Sequence, residues 1–425
     1  MEIKSLSDNK INILPAGVTE FGDVNITLVD INNDGYLDFF VCGYVHDADA
    51  KRRYSGLFTN NGDRTFTETT ILENGKSSNQ ATALFADLDK DGMMDMVFYG
   101  HEGSGSMYVF LNIDGELIEA KKVDGIYQTK TVPNSGVLAD INNDGLYDLV
   151  ANVYSGMSSN PRERMSFFLG TGENIDFLDP NLAMSDQFMG GSNGSVAVLD
   201  CDNNGVLDFA VMGYNFNLNN NDAFCAIYKN SVYSEPNQAP SIPTSLSSSV
   251  DNRNVTLTWG EASDDKTPAV SLSYNLYLKN TITGKYYRTP KADLTTGRRL
   301  VFDHGNMFLA KTITFNNLPD GVYEWSVQAI DASYAGGNFA PMATFAIGDY
   351  SGVPNSGIEN INISVNNNKD ITVTGAQALK ISVYSLTGSM LNEVSNQNTI
   401  SGSTSGVYIV KVVTERGTIT KKVIL

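Results

Sequence analysis

Asp30-Ile-Asn-Asn-Asp-Gly-Tyr-Leu-Asp38 returns three times along the chain. The other copies are Asp87-Leu-Asp-Lys-Asp-Gly-Met-Met-Asp95, Asp140-Ile-Asn-Asn-Asp-Gly-Leu-Tyr-Asp148 and Asp200-Cys-Asp-Asn-Asn-Gly-Val-Leu-Asp208. Oxygen-bearing side chains stand at positions 1, 3, 5 and 9 of each copy, and glycine stands at position 6. Calcium is a hard cation that takes about six to eight oxygen ligands. Gly35, Gly92, Gly145 and Gly205 permit the sharp turn that lets alternating side chains converge on one point. The spacing predicts four calcium sites. Their side-chain ligands are Asp30, Asn32, Asp34 and Asp38; Asp87, Asp89, Asp91 and Asp95; Asp140, Asn142, Asp144 and Asp148; and Asp200, Asp202, Asn204 and Asp208. The carbonyl at position 7, from Tyr36, Met93, Leu146 and Val206, is the expected further ligand. Plain Asp/Gly turns do not repeat a full ligand set four times.

An EF-hand needs flanking helices and a bidentate Glu at position 12. Here that position holds Val41, Phe98, Ala151 and Val211, none of which binds a cation through its side chain. The flanks alternate or run apolar as strands do, with Val24-Asn-Ile-Thr-Leu-Val before the first loop and Leu37-Asp-Phe-Phe-Val-Cys after it. Each loop is therefore expected at the tip of a β-hairpin. The loops start 57, 53 and 60 residues apart, a period that suits propeller blades. A third strand (Ser55–Asn60, Met107–Asn112), a tight turn (Asn60–Asp63, Asn112–Gly115) and a fourth strand (Thr65–Ile71) complete the unit.

On these loops and strands, residues 1–235 resemble the FG-GAP/VCBS repeat family, the calcium-bearing β-propeller repeats also found in integrin α chains. The literal Phe-Gly…Gly-Ala-Pro signature is absent. The resemblance implies an all-β fold of propeller blades, with fewer repeats than that family usually carries. Residues 11–16, Ile-Asn-Ile-Leu-Pro-Ala, read like a fourth strand that would complete the last unit in a four-bladed ring. A partial chain of a larger propeller is the favoured alternative. The start, Met1-Glu-Ile-Lys-Ser, lacks the apolar stretch of a signal peptide.

Residues 239–348 read as a β-sandwich, on Val255-Thr-Leu-Thr-Trp259, Tyr274-Asn-Leu-Tyr-Leu278 and Gly321–Asp331. Leu318-Pro-Asp-Gly-Val-Tyr323 resembles the tyrosine corner of such sandwiches, and the segment resembles a fibronectin type III domain. Trp259 and Trp325 are expected in its core. The sandwich is expected to act as a spacer that calcium leaves unaffected. Residues 356–425 carry Ile381–Leu391, Ser405-Gly-Val-Tyr-Ile-Val-Lys-Val412 and Thr420-Lys-Lys-Val-Ile-Leu425. They resemble the C-terminal sorting domain of type A substrates of the type IX secretion system in Bacteroidetes, a small β-sandwich. That implies a secreted or outer-surface location and the type IX machinery as a partner.

Formal charge is −19, and thirteen of the aspartates lie in the four loops. Such a balance argues against nucleic acid and anionic membrane as partners. No apolar run reaches the roughly 18 residues of a membrane span. Three cysteines leave at least one without an intramolecular partner; Cys42 and Cys225 fall in strands and are expected to be buried thiols. The chain shows no nucleophile motif, phosphate loop or zinc spacing, and is read as a non-enzyme. If the Asp loops fill one end of each blade, the longer connections at the other end are free to bind. They carry Tyr44, His46, Arg52, Arg53, Tyr54, His101, Tyr154, Arg162, Arg164 and Tyr214. Arginine and aromatic side chains are enriched at recognition surfaces, so a glycan or protein ligand is expected there. The function expected is a secreted or surface-displayed calcium-binding adhesion protein. The competing class is a calcium-dependent polysaccharide lyase or glycoside hydrolase, with His46, His101, Arg52 and Arg162 as first suspects.

Overall fold

The computed structural model describes residues 18–47, 51–63, 65–70, 81–100, 106–124, 126–127, 135–155, 162–171, 192–215, 222–231, 235–348, 361–366, 368–385, 388–401, 404–414 and 417–424. The N-terminal stretch 11–16, the junction 349–357 and His101 lie outside them. Among the described residues there is no α-helix; the one helical element is a 3-10 turn, Ala269–Ser271.

Four antiparallel sheets precede the sandwich. The first runs β1 (Val18–Val29), β2 (Asp38–Asp47), β3 (Lys51–Asn60), β4 (Phe66–Thr70). The second runs β5 (Ala81–Ala86), β6 (Asp95–Gly100), β7 (Ser106–Ile113), β8 (Glu116–Asp124). In the third, β9 (Ile126–Tyr127) pairs with β11 (Asp148–Ser155), which lies between β10 (Gly136–Ala139) and β12 (Arg162–Phe168). The fourth is β13 (Ser192–Leu199), β14 (Asp208–Asn215), β15 (Asp222–Tyr228). Each Asp loop closes the hairpin between the first two long strands of its sheet, as the spacing predicts.

Period-2 alternation sends neighbouring side chains to opposite faces. Val29, Phe40 and Leu57 of the first sheet pack against Ala83, Met96 and Phe98 of the second. Val97, Tyr99 and Met107 on the other face of the second sheet join a core with Leu138, Leu149, Phe167, Phe209 and Val211 of the third and fourth. Both faces of β2 carry apolar side chains, Phe40 and Cys42 in the core shared with the second sheet and Val41 in a smaller cluster with Tyr54 and Phe58, which is why Asp-Phe-Phe-Val-Cys does not alternate with polar residues. The inner strands touch in series: β1 on β5, β5 on β10, β10 on β13.

The sandwich pairs a three-stranded sheet with a four-stranded one. The first contains β16 (Thr244–Asp251), β17 (Asn254–Gly260) and β20 (Thr312–Phe315). The second contains β18 (Ser273–Asn280), β19 (Tyr286–Arg288), β21 (Gly321–Ile330) and β22 (Ala343–Ile347), in the order β19-β18-β21-β22. Trp259 and Trp325 are both buried, with ring centroids 6.5 Å apart. The Tyr323 hydroxyl donates to the Pro319 carbonyl at 2.6 Å, the tyrosine corner legible in the sequence. The tail repeats the three-plus-four plan. β23 (Asn362–Val365), β24 (Ile371–Thr374) and β27 (Thr399–Ile400) face β25 (Ala378–Tyr384), β26 (Met390–Ser395), β28 (Val407–Thr414) and β29 (Gly417–Ile424) across a core of Ile371, Ile381, Val410 and Val412.

Two expectations are corrected. Cys42 is buried, but Cys225 is exposed: it lies on the face of the fourth sheet turned away from the third. The sandwich is not a detached spacer. It seats one end on the Asp loops, and its Phe308 and Leu309 enter the core of the first two sheets. Ala332 and Tyr334 enter the core of the second to fourth. Gly145 shows how close the approach is: an added Cβ would lie 2.3 Å from the Lys266 carbonyl oxygen.

This contact can be isolated by comparing two glycines of similar φ, Gly145 at +86° and Gly115 at +88°. Alanine at either site carries the left-handed cost of about 1–2 kcal/mol. A Cβ at Gly115 meets nothing within 4 Å. Gly145→Ala is therefore expected to lower the melting temperature clearly more than Gly115→Ala; equal shifts would contradict sandwich packing at this loop.

Candidate metal centres

All four loops are held by one hydrogen-bond plan. The position-1 carboxylate accepts the backbone N–H of position 5, at 3.1 Å in every copy (Asp34 to Asp30, Asp91 to Asp87, Asp144 to Asp140, Asn204 to Asp200). It also accepts the N–H of the position-6 glycine, at 2.8, 3.1, 2.7 and 3.0 Å. The position-9 carboxylate accepts the N–H of position 2 on one oxygen. On the other it accepts an N–H at or just past the end of the third strand: Asn60, Asn112, Gly170 and Asn230, at 2.7, 2.9, 2.7 and 2.8 Å. Position 4 is left-handed in each copy (Asn33, Lys90, Asn143, Asn203), as is the glycine. Ile31 and Ile141 at position 2 and Met94, Tyr147 and Leu207 at position 8 are buried, Leu37 and Leu88 are half-buried, and Cys201 is exposed.

A carboxylate has about four lone-pair positions, so these bonds leave each aspartate capacity for a cation. Asp87, Asp89 and Asp95 each present an oxygen within 4.8 Å of the others, and so do Asp200, Asp202 and Asp208. In the first and third loops the position-3 asparagine donates to the position-5 carboxylate, Asn32 to Asp34 at 3.0 Å and Asn142 to Asp144 at 2.9 Å. Burial pushes Asp30, Asp95 and Asp148 up to about 8, and Asp38, Asp87 and Asp140 up to about 6. Neighbouring carboxylates of the same loop add to the shift. Desolvated acids crowded on one point suit a divalent cation, which would hold them ionised. The fourth loop is the most open, and the Lys229 ammonium pairs with Asp202.

The first and second loops, and the third and fourth, are also tied to each other. Asn33 Nδ2 donates to the Gly92 carbonyl at 2.7 Å, and Asn143 Nδ2 to the Gly205 carbonyl at 3.3 Å. Asn112 Nδ2 reaches back to the Ile31 carbonyl at 2.7 Å, and Asn230 Nδ2 to the Ile141 carbonyl at 3.0 Å. The Gly35 carbonyl of the first loop receives Arg288 Nη2 of the sandwich instead, at 2.8 Å. Tyr36 donates to the Thr314 carbonyl at 2.6 Å. His304 is buried between units, with Nε2 3.1 Å from the Phe85 carbonyl and Nδ1 3.4 Å from the Tyr147 hydroxyl. Ser333 bonds the Asp140 carbonyl and Asn143 Oδ1, at 3.0 and 2.8 Å. None of these sandwich residues carries a motif, and sequence reading passed over them.

Apart from His101, which lies outside the described residues, the candidate ligand residues stand on strands at the sheet ends away from the Asp loops. Strand register pairs Tyr44 with Arg53, Val45 with Arg52 and His46 with Lys51 in the first sheet. It pairs Val153 with Arg164, Tyr154 with Glu163 and Ser155 with Arg162 in the third, and Tyr214 with Ala223 in the fourth. The side chains of His46, Arg52, Tyr154, Arg162, Arg164 and Tyr214 lie outside the described residues. Tyr54 is buried, its hydroxyl donating to Glu68 at 2.7 Å.

Residues 30–98 match the FG-GAP-like repeat, and residues 353–425 match the secretion system C-terminal sorting domain. The chain is thus exported by type IX secretion to the cell surface or beyond it. No curated protein matches it. Among solved structures, the crystal structure of chicken CNTN1 FN1-FN3 domains aligns at 11% identity over 68% of this chain and 98% of that one, with a TM-score of 0.20. The central fibronectin-III array of RIM-binding protein aligns at 14% identity over 44% and 68%, with a TM-score of 0.18. Among the described residues, no helix is long and apolar enough to cross a membrane.

The buried aspartates set a pH dependence. Their folded-state pKa values are raised, so the folded chain holds protons that the unfolded chain releases. In chelator their contribution is greatest below about pH 4 and declines as pH rises through 6 to 8. Melting temperature in chelator is expected to fall over that range relative to the same chain with a divalent cation; parallel pH profiles would contradict it.

Proposed function

We propose that the four loops bind calcium and that the sheets they close are blades of a propeller-type repeat in a secreted, non-catalytic interaction protein. The observation carrying this reading is the set of carboxylates repeated at four hairpin tips and oriented by backbone N–H groups, with burial raising the carboxyl pKa values in the first three. Calcium would supply charge neutralisation and coordinate Asp30, Asn32, Asp34 and Asp38 with their counterparts. The chain's own residues shape the cage: position-6 glycines turn the loop, and positions 2 and 8 anchor it. The fourth loop should be the weakest site, because it carries Asn204 at position 5 and has Lys229 against Asp202.

The sandwich rests on these tips, so calcium binding and sandwich docking are linked, and each strengthens the other. With the loop end covered, a glycan or protein ligand would use the opposite end, where Tyr44, Arg52, Arg53, Arg162 and Arg164 lie on the strands. Guanidinium groups there suit carboxylate-bearing partners.

Calorimetry of the full chain with millimolar calcium and with EDTA tests the reading. Calcium is expected to raise the melting temperature of the repeat sheets and the sandwich together. Identical curves would overturn calcium binding, whereas a shift confined to the repeat sheets would overturn the linkage. Asp91→Ala is expected to weaken binding more than Asn204→Ala in a calcium titration, because it removes a formal charge as well as a ligand. For the opposite end, a calcium-buffered glycan array should lose its hits with a quadruple Arg52, Arg53, Arg162 and Arg164→Ala variant whose calcium affinity is unchanged; retained hits would exclude that end.

A further inference from the structure

The fourth loop meets a residue that has no counterpart at the other three. The N–H groups of Asn60, Asn112, Gly170 and Asn230 each meet a position-9 carboxylate. The residues just before them therefore occupy equivalent places, and these are Thr59, Leu111, Leu169 and Lys229. Only the last is charged. Its ammonium pairs with Asp202 and lies within electrostatic reach of Asp208. Asp200, Asp202 and Asp208 each present an oxygen within 4.8 Å of the others. The ammonium thus stands against the same carboxylates that would hold a cation. Among the described residues, no lysine or arginine forms an ion pair with a carboxylate of the first three loops. Arg288 reaches the first loop at the Gly35 carbonyl instead.

Charge and exposure decide what this contact does. The first, third and fourth loops carry three aspartates at ligand positions, and the second carries four. Lys229 brings the formal charge of the fourth from −3 to −2, the smallest of the set. The Lys229 side chain is 57% exposed and that of Asp202 is 31% exposed. An ion pair so open to water adds little to stability, and its ammonium can swing into solvent. While it stays, a divalent cation on these carboxylates meets a like charge.

Resting on the calcium reading above, we infer that Lys229 is a resident counter-ion of the fourth loop. Its ammonium holds the Asp200, Asp202 and Asp208 cluster at low calcium and swings out before calcium is bound. Lys229 thereby sets the calcium threshold of this one site. It also keeps the fourth hairpin tip ordered at calcium levels that leave the other three unfilled.

Hydrogen exchange of the full chain, read by mass spectrometry on peptides spanning each loop across a calcium titration, follows each site separately. Lys229→Leu gives the fourth loop the residue that Leu111 and Leu169 supply to the second and third, and Lys229→Arg keeps the charge. In the parent, the peptide covering residues 200–208 is expected to gain protection at higher calcium than the other three. Lys229→Leu is expected to lower that midpoint about tenfold or more. In EDTA the same variant is expected to exchange faster than the parent over residues 200–208. Lys229→Arg is expected to follow the parent in both conditions. Opposite shifts in calcium and in EDTA separate a counter-ion from a side chain that merely packs. An unchanged midpoint or unchanged EDTA exchange in Lys229→Leu overturns the inference and leaves the calcium reading intact, as does an Arg variant that behaves like the Leu one. If none of the four peptides responds to calcium, the calcium reading itself falls and the inference falls with it.

Discussion

Carboxylates at the first and ninth positions of each loop are the constraint on which the rest depends. The first gathers the N–H groups of positions 5 and 6 and so forces the turn. The ninth ties the loop to the end of the third strand, as Asp38 does to Asn60. One residue type thereby sets the hairpin tip and the seat of the neighbouring strand. Burying so many acids is costly without compensation. The raised pKa values of Asp30, Asp95 and Asp148 follow from that burial, and a divalent cation bound there would offset it.

The loop end of the molecule is a joint between units. Asn33 links the first loop to the second and Asn143 the third to the fourth, and Arg288 performs the same service for the first loop from the sandwich. The sandwich thus stands where a preceding loop would otherwise supply a donor. Lys266, Ser271, His304, Ser333 and Tyr334 extend the contact across the second and third loops, and Asn237 donates to the Gly205 carbonyl of the fourth. A change in loop order therefore reaches the sandwich through direct contacts.

The sheet faces follow a different logic. The second and third sheets bury both faces; on the outer face of the first, Val41, Tyr54 and Phe58 form a small buried cluster while Ile26 and Leu28 are exposed, and on the fourth Met212, Cys225 and Ile227 are exposed. The same alternation that fills the interior leaves Leu28 and Met212 at the surface, because period 2 places an apolar residue on each face whether or not a neighbour covers it. Cys225 is exposed for the same reason. Its strand reads as buried, yet its face is turned away from the third sheet.

Sequence alone determined the features that local spacing encodes. The hairpin tips, the glycine turns, the strands beside them and the tyrosine corner at Tyr323 all depend on residues within about a dozen positions of each other, and repetition made the loops unmistakable. The left-handed position 4 had a signal too, in Asn33, Asn143 and Asn203, because asparagine tolerates that conformation. Tertiary structure alone decided where the sandwich sits, which carbonyl Arg288 and His304 meet, and which apolar faces stay open. Those contacts join residues scores of positions apart and leave no period in the chain. Whether an apolar strand residue is core or surface depends on a neighbouring sheet that its own sequence cannot specify.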